Sequence, residues 1–400
     1  MSERSLKPGW QVWRFDQIAT NVNERIDNPS EADVEYYVGL EHLDPDSLKI
    51  RRWGTPSDVE ATKLCFRKGD IIFGRRRVYQ RKVAVADFDG ICSAHALVLR
   101  AKPAVVDPGF LPFFMQSDLF MERAKAISVG SLSPTINWKT LAKEEFSLPS
   151  LEEQRRIAQV LSESEIVLDK FQQALVATDN LFNSLTYEEI RGVKEGSVSY
   201  HTQVGSVTKN RPIVPIGEVI TKTQYGLSNA PVEKGKYPII RMMNLSEGEV
   251  IENDIRYVDL DKSTFDMYRL EDGDILFNRT NSYELVGRTG MYTLKGEHVF
   301  ASYLIRICAN QERIIPEYLT EFLNCPLGRR QVVSFATKGV SQANVNASNL
   351  CNILIPLPSL SEQRNIIIRV GAIRSARTNL EAQISRALAL KKNLLNSIVY

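Results

Sequence analysis

Eight basic side chains fall between positions 63 and 82: Lys63, Arg67, Lys68, Arg75, Arg76, Arg77, Arg81 and Lys82, against one acid, Asp70. Guanidinium and ammonium groups at this density set up a local positive field. Such a field suits a polyanion touched by one face of the protein; the plainer alternative is a solvated basic loop. The chain as a whole carries only +2 over 400 residues, so a polyanion would be met locally.

No comparable constellation exists for catalysis. The four histidines, His42, His95, His201 and His298, show no H-E-x-x-H or other metal-ligand spacing. His42 reads as a strand-end residue with a structural or contact role, and His201 and His298 as structural. There is no G-x-x-x-x-G-K-S/T phosphate loop. The adenine-methyltransferase tetrapeptide (Asp or Asn, Pro, Pro, then Tyr or Phe) is also missing. Asp107-Pro108-Gly109-Phe110 comes nearest, lacks the second proline and reads as a turn. No Asp-x-Lys or Glu-x-Lys triplet occurs, so the Mg²⁺-binding core of the common restriction-nuclease fold has no candidate. The five cysteines are scattered, with no C-x-x-C pair, and are expected to be reduced thiols in a cytoplasmic protein. No apolar run approaches the roughly 18–20 residues that span a bilayer. The opening Met1-Ser2-Glu3-Arg4-Ser5-Leu6-Lys7-Pro8 has no apolar h-region, so no signal peptide is expected.

The elements that must hold the basic cluster are written twice. Leu148-Pro149-Ser150-Leu151-Glu152-Glu153-Gln154-Arg155-Arg156-Ile157 returns 209 residues later as Leu357-Pro358-Ser359-Leu360-Ser361-Glu362-Gln363-Arg364-Asn365-Ile366. Upstream, Gly130 to Asn137 pairs with Gly339 to Asn346, Gly69-Asp70-Ile71-Ile72-Phe73 with Gly273-Asp274-Ile275-Leu276-Phe277, and Tyr37 to Leu43 with Ile239 to Leu245. The order is kept while the offset drifts from 209 to 202, as small loop insertions would make it. This period is too long for a solenoid and indicates a duplicated domain with its following helix. Short β-branched runs such as Val83-Ala84-Val85 and Tyr303-Leu304-Ile305-Arg306-Ile307 read as strands.

Each copy closes on a long helix. Ser150 with Glu153, and Ser359 with Glu362, have capping-box spacing behind a proline. Gly192 is the expected C′ residue of the first helix. Apolar residues recur with steps of 4 and 3 at 157, 161, 164, 168, 171, 175, 178, 182, 185 and 189, and at 366, 370, 373, 377, 380, 384, 387, 391, 394 and 398. Seven and eight of these ten are apolar, which predicts a coiled-coil seam. Residues 151–191 carry −4 and residues 361–400 carry +5, favouring the two helices as each other's partner. The expected fold is α+β: two duplicated domains, 1–149 and 211–358, joined by two long antiparallel helices, 150–192 and 359–400, with a linker at 193–210.

Taken together, the twice-written L-P-x-L-x-E-Q-R-x-I helix start, Tyr37-Val38-Gly39-Leu40-Glu41-His42-Leu43, the paired Gly-Asp-Ile-x-Phe strands and Gln224-Tyr225-Gly226-Leu227-Ser228 resemble the DNA specificity subunits of type I restriction-modification systems. The resemblance covers essentially the whole chain. It implies two target recognition domains, each reading half of an asymmetric, interrupted DNA site. It also implies helices that act as a spacer and dock modification subunits. Those subunits would bind S-adenosylmethionine and methylate adenine, leaving this chain without a cofactor or catalysis of its own. Restriction and translocase subunits would join the same complex.

On that basis the DNA-binding candidates are Arg75, Arg76, Arg77, Tyr79, Arg81 and Lys82 in the first copy. Those in the second are Gln224, Tyr225, Asn278, Arg279, Asn281 and Arg288, with Thr280, Ser282 and Tyr283 nearby. Arginine forks suit guanine edges and phosphates, and asparagine suits adenine. The partner-binding candidates are Glu153, Gln154, Arg155, Glu362, Gln363 and Arg364. The competing expectation is a duplicated nucleic-acid-binding scaffold or regulator without modification partners.

Overall fold

The computed structural model describes residues 7–193, 199–202, 205–209, 211–338 and 342–399. The chain divides into two compact units. The first holds Met1–Gln173 and Ala382–Tyr400, and the second holds Ala174–Glu381. Both are mixed α+β.

In the first unit the central antiparallel sheet is built from β1 (Ala19–Val22), β2 (Ile71–Gly74), β3 (Val83–Val85) and β4 (Ala96–Ala101), in the order β1-β4-β2-β3. In the second, β5 (Ile220–Tyr225), β6 (Ile275–Asn278), β7 (Thr289–Met291) and β8 (Leu304–Ala309) run in the equivalent order β5-β8-β6-β7, extended by two short strands at 245–250. The registers correspond: Phe73 faces Leu97 as Phe277 faces Ile305.

The apolar runs in these strands follow from burial on both faces. Ile71 and Phe73 enter one core while Ile72 enters another. In the second unit, Ile275 and Phe277 face one core and Leu276 the other. The larger core of the first unit is an aromatic cluster in which Phe15 lies 5.4 Å from Phe120 and Phe114 lies 5.3 Å from Phe146.

The Gly-Asp turn before β2 and β6 has a shared cause. Gly69 (φ 91°) and Gly273 (φ 86°) take a left-handed conformation that costs glycine little. The following aspartates are buried and ion-paired, Asp70 to Arg100 at 2.7 Å and Asp274 to Arg306 at 2.6 Å.

Helix α1 spans Leu151–Arg191 and α2 spans Leu360–Val399. Gly192 (φ 67°) ends α1 as expected. Only half of each capping box forms. Ser150 Oγ accepts from Glu153 N and Ser359 Oγ from Glu362 N, but the glutamates turn to Arg156 and Arg211 instead. Every expected seam position is buried or half-buried, except that the side chain of Ile398 lies outside the described residues.

Within each unit the helices run antiparallel. In the first, Lys391 pairs with Glu165. In the second, Arg369 meets Glu189 at 2.6 Å and Arg377 meets Asp179 at 2.6 Å. In all three pairs α1 supplies the acid and α2 the base. Within the stretch expected as a linker, 193–210, the strands Ser199–Thr202 and Gly205–Thr208 pair antiparallel.

Candidate nucleic-acid interface

In the first unit the chain leaves β2 at Gly74 and enters the arginine run. Arg75 N donates to His95 O and Arg75 O accepts from Ile136 N, so its backbone is held on both sides. Arg77 (φ 57°) and Arg81 (φ 53°) are both left-handed and bracket a tight turn at Val78–Gln80. Left-handed non-glycine residues cost of order 1 kcal/mol and concentrate at functional sites. The turn buries Val78 and leaves Tyr79 53% exposed.

Seven of the eight basic residues divide into two groups. Lys63 is buried and donates to Ala61 O. Arg67 lies 3.8 Å from Glu24. Arg81 pairs with Asp46 at 2.6 Å and Asp118 at 3.0 Å, and Lys82 Nζ donates to Leu40 O at 2.6 Å. Arg81 and Lys82 therefore brace the loop with their charged ends engaged inside the unit. Arg75, Arg76 and Arg77 make no ion pair among the described residues. Arg76 Nη1 lies 3.4 Å from His95 Nε2. Burial, then Arg76, Arg75 and Lys63, push the pKa of His95 below its ordinary value, so the imidazole is neutral at pH 7.

Arg75 opens into a cleft of about 660 Å³ that also takes in Asn21, Asn23, Arg25, Asn137 and Lys139, with no carboxylate in its lining. The Nε of Arg75 is buried without a partner. An excess of cations and amides over acids is what a groove of nucleic acid complements.

The second unit builds a different surface on the same frame. Arg279, the counterpart of Arg75, lies with its guanidinium 4.9 Å from the Tyr225 ring centre, and its Nη1 donates to Ser302 O. The Tyr225 hydroxyl accepts from Ala347 N at 2.9 Å. Gln224 and Tyr225 end strand β5. Gln224 Nε2 donates to Met267 O, while its Oε1 is buried without a partner. Asn278 is 1% exposed, donates weakly to Leu285 O and leaves its Oδ1 unpaired. It shares a cleft of about 720 Å³ with Asn281, Arg288, Arg241, Met243 and Tyr303, again without a carboxylate. Arg288 is exposed and makes no ion pair among the described residues, whereas Arg241 is paired with Asp254 at 2.9 Å. Asn281 Nδ2 contacts Met242 Sδ and its Oδ1 accepts from Ser282 N.

Asn21, Asn23, Arg25 and Lys139 in one unit, and Arg241, Met243 and Tyr303 in the other, were not evident in the sequence. They come from separate segments, and no local spacing marks them. The remaining histidines are structural where described. His42 Nδ1 accepts from Gly39 N, and buried His298 contacts Tyr292 and Glu252. The side chain of His201 lies outside the described residues. Asp107 makes the expected turn, its Oδ1 accepting from Gly109 N and Phe110 N.

The motif residues at the helix starts also divide. Gln154 is 1% exposed; its Oε1 accepts from Asp107 N, and its Nε2 donates to Pro149 O and Val105 O. Gln363 repeats this with Ile315 N, Pro358 O and Arg313 O. Both glutamines thus spend their amide groups on bonds inside the chain. Glu153 is tied to Arg156 and Glu362 to Arg211, while Arg155 and Arg364 are exposed. Outside the seam, the first unit's helical segments also expose Val160, Ile166, Val167, Leu388 and Leu390.

Among the described residues there is no cluster of His, Cys, Asp and Glu able to hold a metal, and no helix long and apolar enough to cross a membrane. Residues 57–174 and 209–390 match the family model of the type I restriction modification DNA specificity domain, more than half of the chain. The chain is 27% identical over its full length to the type I restriction enzyme EcoKI specificity subunit of Escherichia coli (strain K12), covering 89% of it. A chain from a solved structure concerned with complex assembly and conformational transition of the type I R-M system superposes with a TM-score of 0.61 at 20% identity. That match covers 98% of this chain and 97% of that one. The type I restriction-modification S subunit from M. genitalium gives a TM-score of 0.58 at 15% identity, over 99% and 98%.

Proposed function

The chain belongs to the type I restriction modification DNA specificity family, and from that membership we propose how it reads DNA. Each unit reads one half of an asymmetric, interrupted site on double-stranded DNA. The first uses Arg75, Arg76 and Arg77, with Tyr79 beside them. The second uses Asn278, Arg279, Asn281 and Arg288, with Gln224 and Tyr225 at the strand end. The observation that carries this reading is the pair of carboxylate-free clefts, set at the ends of corresponding sheets and lined by different side chains. Equivalent places with different donors suit two different base sequences.

The helices act as spacer and docking surface for methyltransferase subunits, and part of that docking contact is apolar, since Val160, Ile166 and Val167 face solvent. Arg155 and Arg364, exposed at the two helix starts, add polar anchors. S-adenosylmethionine and the transfer step belong to those partners, and the restriction and translocase subunits join the same assembly. The chain itself performs no catalysis.

Methylation-aware sequencing of host DNA with and without the gene tests this reading. The expected result is an interrupted adenine-methylation motif that disappears with the gene. Methyl transfer by the rigorously purified chain alone would refute the division of labour. A four-residue insertion in α1 shifts the seam register. It is expected to change the gap between the half-sites, and an unchanged motif from a stable variant would count against the spacer role.

A further inference from the structure

Leu132 is 91% exposed and Val129, three residues earlier, is 71% exposed. A lone surface leucine needs no explanation. This one stands on a braced loop. Val129 and Thr135 exchange two backbone hydrogen bonds of 3.0 Å, closing the base of the loop. Its returning strand is bonded to the arginine run: Arg77 N donates to Pro134 O at 2.8 Å, Ile136 N to Arg75 O at 3.0 Å, and Arg77 Nε to Ser133 Oγ at 3.3 Å. Leu132 therefore projects beside three cations that have no ion-pair partner among the described residues.

We infer that Leu132 is an apolar probe of the first half-site. It enters a groove and packs against the bases while Arg76 and Arg77 hold the flanking phosphates. This rests on the DNA-reading function proposed above. The charge beside it selects the occupant. A groove of nucleic acid presents phosphates at its rim and apolar base surface within, which matches cations around a leucine tip. A protein partner's apolar patch would leave three arginines without counter-charge.

The test uses the full chain assembled with its modification subunits and a duplex carrying the motif found by sequencing. Leu132→Ala is expected to weaken binding about tenfold or more, the order expected for losing a buried leucine contact. An apolar contact releases no counterions, so the slope of log affinity against log salt should stay unchanged. Arg76→Ala should flatten that slope by about one phosphate contact. Leu132→Met should retain most of the affinity. The loss should vanish on duplexes already altered in the first half-site and persist on those altered in the second. The melting temperature should not move, because the side chain packs against nothing.

Wild-type affinity in Leu132→Ala, with a clear defect in Arg76→Ala, would overturn the inference while leaving the DNA-reading function intact. So would normal DNA binding with impaired assembly by Leu132→Asp, which would place the leucine in a protein interface. Failure of the wild-type complex to bind any duplex would instead remove the underlying function and the inference with it.

Discussion

Arg75 and Arg279 hold the same position in the two units and do different things. The first stands in a cleft among asparagines and further cations, and the second lies over the face of Tyr225. By sheet register, Tyr225 stands where Asn23 stands. The two guanidiniums thus meet different neighbours at that position, an asparagine in one unit and an aromatic face in the other. The duplicated scaffold keeps what sheet burial demands, the alternating Ile, Leu and Phe of β2 and β6. It varies the residues just past the strand ends, where nothing in the core constrains them.

The largest expected contrast concerns stability. Asp274 and Arg306 are both nearly buried, whereas Arg100, the partner of Asp70, is 47% exposed. Asp274→Ala strands a buried arginine and should cost about 3–5 kcal/mol. Asp70→Ala leaves an arginine that can turn to water and should cost about 1–3 kcal/mol. Urea denaturation of the two variants checks this, and equal losses would break the contrast.

Next comes base reading. Arg75→Ala should cost about 1–3 kcal/mol and relax the first half-site alone, and Asn281→Ala should do the same for the second. Titration against duplexes mutated in one half-site at a time checks the assignment. If either variant relaxed both halves, the division between the units would be wrong.

A smaller effect separates reading from bracing. Replacing Arg76 and Arg77 together should lower the salt slope by roughly two phosphate contacts and weaken binding to all sequences. Arg81→Ala should leave the slope alone and lower thermal stability instead, since that side chain bonds Asp46 and Asp118. Binding measured across a salt series, beside a melting curve, distinguishes the two.

The smallest effect is a pH dependence. His95 has a folded pKa below its ordinary value of 6.5, so the stability its neutral ring contributes is fully present above pH 6.5. That contribution is lost as pH falls through 6.5 towards the folded value. A DNA phosphate near Arg76 would oppose the depression, so binding would take up a proton. Affinity should therefore rise modestly from pH 7.5 to 6, and His95→Gln should flatten the rise.

The long helices, their seam and the paired strands were legible because their signals are local: a 3.5-residue period, a glycine before a buried aspartate, a cap after a proline. The basic run was only partly legible. Arg75 to Arg77 and Arg81 look alike in sequence, and only the approach of Asp46 and Asp118 from other segments separates them. The surroundings of Gln154 and Gln363 were hidden for the same reason. A polar residue in the first turn of a helix is usually solvated, and its burial depends on a loop some 50 residues away. The cleft residues were hidden because several separate segments converge to form each cleft.

The left-handed backbone at Arg77 bears on how recognition by the first unit can change over time. A residue at φ 57° is comfortable as glycine or asparagine and strained as valine, isoleucine or threonine. Arg75 and Arg76 carry no such restriction. Mutational drift on this loop is therefore channelled: at two neighbouring positions the backbone imposes no such limit, and the third admits a short list. New specificities should therefore arise mainly through position 75, the base-reading residue, with 77 alternating among arginine, asparagine and glycine.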